Sequence, residues 1–118
     1  MKVVNFRGLK VWELAHSLVL DIYKATKNYP KDETYGLVSQ LRRSAVSICA
    51  NMAEGYKKSR KEFSRFLDIA EGSLEETKYH LILSRDLDYL ASQEYESLHK
   101  KSEEVGRMLN GLKQKLQY

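Results

Sequence analysis

Apolar residues recur every three or four positions over four stretches of this chain. Trp12, Ala15, Val19 and Ile22 mark the first, which ends near Tyr29 and Pro30. Leu37, Leu41, Ala45, Ile48 and Met52 mark the second, which stops at Gly55, a residue suited to a left-handed cap. The third opens with Ser59 and Glu62 at capping-box spacing. It continues through Phe63, Phe66, Ala70, Leu74, Thr77, Leu81 and Leu87. The fourth follows Ser92 and carries Tyr95, Leu98, Val105, Leu109, Leu112 and Leu116. No strand-like alternation or Asn-Gly hairpin signal competes with this pattern. Four helices of about 18 to 30 residues with short connections predict an all-α, antiparallel up-down four-helix bundle. Residues 1–118 read as a single domain, and the one proline falls where the chain must reverse.

The second helix departs from simple amphipathicity. Beside its apolar stripe run Gln40, Ser44, Ser47, Asn51 and Glu54, with Ala50 and Ala53 nearby, and no charge falls between Ser44 and Ala53. A helix facing water on one side normally displays Lys and Glu there, so this one is expected to be covered over most of its circumference. Contact with another subunit is the favoured explanation. A crowded monomer interior, where small side chains let helices approach closely, is the other.

Composition narrows the class. With 42% hydrophobic and 31% charged residues in 118, the chain is an ordinary globular domain with enough length for a core of its own. A single cysteine excludes an internal disulfide framework and fits a reducing compartment. Cys49, between Ile48 and Ala50, reads as a small core residue rather than a reactive thiol. No segment has the roughly 20 apolar residues of a membrane span. "MKVVNFRGLKVWELA" lacks a secretory pattern, so a cytoplasmic protein is expected.

Candidate chemistry is sparse. A di-iron bundle needs Glu-x-x-His pairs, whereas Glu76 and His80 are four apart with no second copy, and His16 and His99 have no carboxylate so placed. No nucleophile elbow or Gly-rich phosphate loop occurs; Gly72-Ser73 reads as a close-packing notch in the third helix. No cofactor, metal or enzymatic activity is expected. Phe63 and Phe66 read as core. Tyr56, beside a lysine pair, can stack on a base, although a tyrosine in a turn more commonly lies against the bundle end.

Charge is where the sequence points to function. The net charge is +4, and from Tyr56 to Arg65 Lys57, Lys58, Arg60, Lys61 and Arg65 face only Glu62. Asp68, Glu71, Glu75 and Glu76 follow as an acidic stretch, so the charge is segregated. Cations at a helix start oppose the macrodipole, at about 0.3–1 kcal/mol each at low salt. Arg42 and Arg43 likewise have no acid three or four positions away. Free amides among cations at a helix start make an anion site; a solvated turn screened by salt accounts for the same residues.

Several segments carry a family resemblance. "QLRRSAVSICANMAEG" (Gln40 to Gly55) and "SRKEFSRFLDIAEGSLEE" (Ser59 to Glu76) resemble the four-helix-bundle family of 23S rRNA intervening-sequence proteins. "FRGLKVWELA" (Phe6 to Ala15), "YPKDETYGL" (Tyr29 to Leu37), the Leu-x-Tyr-Leu of Leu87 to Leu90 and the Leu-rich fourth helix match its pattern too. Cys49 departs from it, standing where proline is expected, which implies a straighter second helix here. The resemblance implies a bacterial homopentamer with structural roles for Asn51, Glu54 and Gly55, the first two buried near the end of the second helix. It also implies kinship with the accessory variability protein of diversity-generating retroelements, a basic pentamer that binds nucleic acid and a reverse transcriptase. It identifies no catalytic group.

Two functions follow as expectations. The first is a non-enzymatic homo-oligomer that binds RNA or single-stranded DNA through Arg42, Arg43, Lys57, Lys58, Arg60, Lys61 and Arg65, its affinity raised by multivalency. The second is a scaffold module whose basic region docks an acidic surface on a partner protein.

Overall fold

The computed structural model describes residues 5–116, which form four α-helices and two 3-10 turns. Helix α1 spans Lys10–Thr26, α2 Leu37–Tyr56, α3 Arg60–Asp86 and α4 Ser92–Leu116. The 3-10 turns, Phe6–Gly8 and Lys31–Glu33, precede α1 and α2. Each helix packs on two others: α1 on α2 and α4, α3 on α2 and α4. The result is an all-α four-helix bundle 45 Å long. At 1.5 Å per residue the longest helix, α3, runs nearly that full length, at about 40 Å.

The periodic apolar positions fill the centre. Leu18, Ile22, Leu41, Ile48, Met52, Leu67, Leu74, Leu81, Val105 and Leu109 are all but inaccessible to solvent. Small hydroxyls share this interior without stranding a polar group, since each can donate to the carbonyl one turn back. Thr26, Ser84 and Ser102 do so at 2.8 Å, to Ile22, His80 and Leu98. Leu87, expected inside α3, instead follows its end and is exposed. The chain turns there on a Schellman motif. Asp88, at φ 64°, donates its N–H to Arg85, and Tyr89 donates to Ser84. Leu90 then folds back into the core.

Helices α2 and α3 approach most closely, and the uncharged face of α2 is the reason. Ser44 shares a hydrogen bond with Thr77, and Ser47 with Ser73, both at 2.8 Å. Asn51 donates back to the Ser47 carbonyl and hydroxyl. Ser44, Ser47 and Asn51 of the polar row are thus engaged within the protomer, while Gln40 at its start is exposed. Glu54 is exposed and Asn51 half-buried, so the buried pair implied by family resemblance is not formed by this chain alone.

Gly55 continues the same stripe and is not a left-handed cap: it lies inside α2, and no glycine among the described residues has positive φ. A Cβ placed on it would stand 2.5 Å from Cβ of Phe66 and 3.1 Å from Cδ1 of Phe63. Phe66, expected in the core, is half-buried as the lid over this contact. The notch expected at Gly72 is absent. Nothing lies within 4 Å of where its Cβ would be, and only the neighbouring Ser73 meets α2.

Candidate functional site

Helix α2 gives way to α3 through Lys57, Lys58 and Ser59. Ser59 accepts a hydrogen bond from the Glu62 N–H, as the capping-box spacing predicts. In so short a connection between packed helices, long side chains have room only outward. Lys57, Lys58 and, in the first turn of α3, Lys61 are exposed. Among the described residues, the ammonium group of none of the three meets a carboxylate or any other hydrogen-bond partner. Arg65 is exposed and 3.8 Å from Glu62, a loose pair on one helix face.

The other predicted cations are placed differently. Arg60 reaches from the start of α3 to the end of α4 and donates to the Lys115 carbonyl at 3.1 Å. Its charge therefore meets the negative pole of α4, which offsets the unfavourable position on its own helix. Arg42 does the same for α1: it donates to Thr26 Oγ1 at 2.8 Å and the Tyr23 carbonyl at 3.2 Å, and lies over the Tyr23 ring. Arg43 is exposed and donates to Gln40. Arg42 and Arg43 sit about 21 Å along α2 from Lys57, so the seven cations divide into two groups at different heights of the bundle.

One residue that sequence reasoning missed joins the turn. The first 3-10 turn, capped by the Asn5 side chain accepting from the Arg7 N–H, folds against the end of α2. Asn5, Phe6, Arg7, Tyr56 and Lys57 enclose a cleft of about 360 Å³. The "FRG" stretch and the Asn before it carried the local signal, but not the docking of this turn beside Tyr56.

The acidic stretch of α3 is used elsewhere. Lys113 of α4 pairs with Asp68 and Glu71, and Lys78 with Glu75 and Glu103 at 3.0 Å each. Glu76 takes His80 at 3.1 Å. The hydrogen bond from Lys78 holds Glu103 below its ordinary pKa of 4.5. A depressed folded pKa means that the stability from this pair is complete above the unfolded value and vanishes as pH falls through the folded one. The thermal midpoint of Glu103→Gln should therefore trail the wild type at pH 6 and converge with it on acidification below about 4.5.

A second concavity, about 340 Å³ in volume, runs between α1 and α2. Phe6, Trp12, His16, Val19, Val46, Cys49, Ala50 and Ala53 line it. Trp12 stacks on His16 at 5.0 Å. Leu20 and Val46 are 55% and 40% exposed on the helices that flank it. Burial pushes the Cys49 thiol up to about 12, so its thiolate at pH 8 is scarcer than that of a free cysteine by a factor on the order of a thousand. Iodoacetamide at that pH should label Cys49 only when denaturant is present. Among the described residues, no three His, Cys, Asp or Glu side chains converge as a metal site, and no helix is long and apolar enough to cross a membrane.

Comparison with known proteins places this architecture. No curated protein matches the chain. A crystal structure from Bacteroides thetaiotaomicron, described as a protein with unknown function from the S23 ribosomal protein family, superposes with a TM-score of 0.77. The two are 29% identical over 86% of this chain and 96% of that one. The model of the 23S rRNA-intervening sequence proteins matches residues 7–111. The α2–α3 hairpin and nearly all of the bundle around it lie inside that match, and the chain belongs to the 23S rRNA-intervening sequence protein family.

Proposed function

We propose that this protein is a non-enzymatic, homo-oligomeric nucleic-acid-binding bundle whose helices run antiparallel in up-down order. The exposed cations of the α2–α3 turn are its contact surface for RNA or single-stranded DNA. The observation that carries this reading is the crowding of three exposed lysines into five residues at one turn, set against the paired lysines of α3 and α4. Lys78 and Lys113 are engaged by carboxylates of α3 and α4, whereas Lys57, Lys58 and Lys61 project to solvent without a counter-charge among the described residues. A phosphate backbone supplies that counter-charge, and the lysines in turn displace condensed counterions from the strand, which drives binding. Arg65 and Arg43 add weaker, partly satisfied charges, and Arg42 and Arg60 serve mainly to cap helix ends.

Assembly is supported by the apolar α1–α2 concavity and by Leu20 and Val46 beside it, a surface that a second copy would cover. Five is the subunit number that the family resemblance implies. A ring would repeat the turn at regular intervals and convert weak single contacts into avidity.

The test is titration of a fluorescently labelled 20-nucleotide RNA, followed by anisotropy at low and at physiological salt. Binding at low salt that weakens steeply with added salt, with little dependence on sequence, supports the proposal. No binding at low salt rejects it. Nuclease-resistant capture of a single acidic protein would then favour a scaffold.

A further inference from the structure

We infer that the cleft between Phe6 and Tyr56 seats an unstacked base of a single strand, while Arg7 and Lys57 hold the flanking phosphates. The inference rests on the nucleic-acid reading above and gives it a base-contacting element.

Three features of the cleft support it. Two aromatic side chains and two cations meet in one opening of about 360 Å³, the combination that single-strand sites use: charge for the backbone and ring surface for the base. Both rings are held before any ligand arrives. Phe6 makes a T-shaped contact with Trp12 at 5.2 Å, and Tyr56 one with Phe63 at 5.8 Å. Little ordering is therefore required on binding. Asn5 has its carboxamide oxygen committed to the Arg7 N–H, and its NH2, without a partner among the described residues, can donate to a base carbonyl. Lys57 belongs both to the cleft and to the α2–α3 turn, so a strand crossing the turn meets the cleft at that residue. Apolar walls alone would suit a peptide as well; the cationic rim selects an anionic chain that also carries planar rings.

The experiment compares a labelled ten-nucleotide oligo(U) with an abasic strand of the same sugar–phosphate length. Anisotropy reports affinity, and fluorescence of Trp12, the sole tryptophan, reports occupancy beside Phe6. The base-bearing strand should bind on the order of tenfold more tightly and alone perturb Trp12. Tyr56→Leu and Phe6→Leu should abolish the preference while leaving abasic binding unchanged; Tyr56→Phe should retain it. Equal binding of both strands by the wild-type protein, with a steep salt dependence, overturns the base pocket and leaves the charge-based reading standing. Failure of both strands to bind at low salt overturns both.

Discussion

Gly55→Ala is expected to lower the thermal midpoint by roughly 8 °C, although alanine is the better helix former by about 1 kcal/mol. The added methyl would meet Cβ of Phe66 at 2.5 Å, well inside the ~3.5–4.0 Å of a favourable carbon–carbon contact. A Cβ cannot swing aside by changing rotamer. Relief requires α2 and α3 to separate by about 1 Å, disturbing the Ser44–Thr77 and Ser47–Ser73 hydrogen bonds farther along the same interface. Overpacking of this kind costs about 3 kcal/mol, and the propensity gain returns about a third of it. Gly72→Ala is the control. With nothing within 4 Å of its new methyl, it gains propensity without a clash and should hold or raise the midpoint. Thermal unfolding followed by circular dichroism separates the two, and equal midpoints would mean that α2 and α3 are not this close.

The second large effect concerns binding. Replacing Lys57, Lys58 and Lys61 together by alanine should weaken RNA affinity about a hundredfold at 0.1 M salt, three neutralised phosphates on a single strand being worth roughly two decades there. The fold should be unaffected, because these side chains are exposed and meet no carboxylate among the described residues. Lys24, Lys27 and Lys31, also exposed, provide a charge-matched control. Their triple alanine variant should bind within a few-fold of wild type. Including Arg60 would confuse the result, since its loss also uncaps α4.

Helix number, order and core were legible because the apolar period is long and uninterrupted in each segment. Cap chemistry at Ser59 was legible because it is local. The departures share one cause: the sequence displays residue types, and their partners lie on other helices. Gly55 precedes a lysine pair and looks like a stop signal, yet it is kept small by Phe66. Ser44 and Ser47 suggested a subunit contact, while their partners Ser73 and Thr77 stood a turn apart on α3, with nothing in one chain to match the two rows. Arg42 has no acid three or four positions away, and Arg60 stands among cations that face only Glu62, so neither shows its partner in the sequence. Their acceptors are a hydroxyl and main-chain carbonyls at the ends of α1 and α4, which leave no compositional trace. Within the candidate site, Lys57, Lys58 and Lys61 were read from charge density alone. Arg7 was missed because it joins them only through the folding of a short turn onto α2.

The most direct measurement is the slope of log affinity against log salt for a short RNA, wild type against the Lys57, Lys58 and Lys61 triple alanine variant. Each phosphate neutralised on a single strand contributes about 0.7 to that slope. The variant should therefore show a slope shallower by about two, with weaker binding throughout the low-salt range. Identical slopes and affinities would contradict the assignment of these lysines as the contact for nucleic acid.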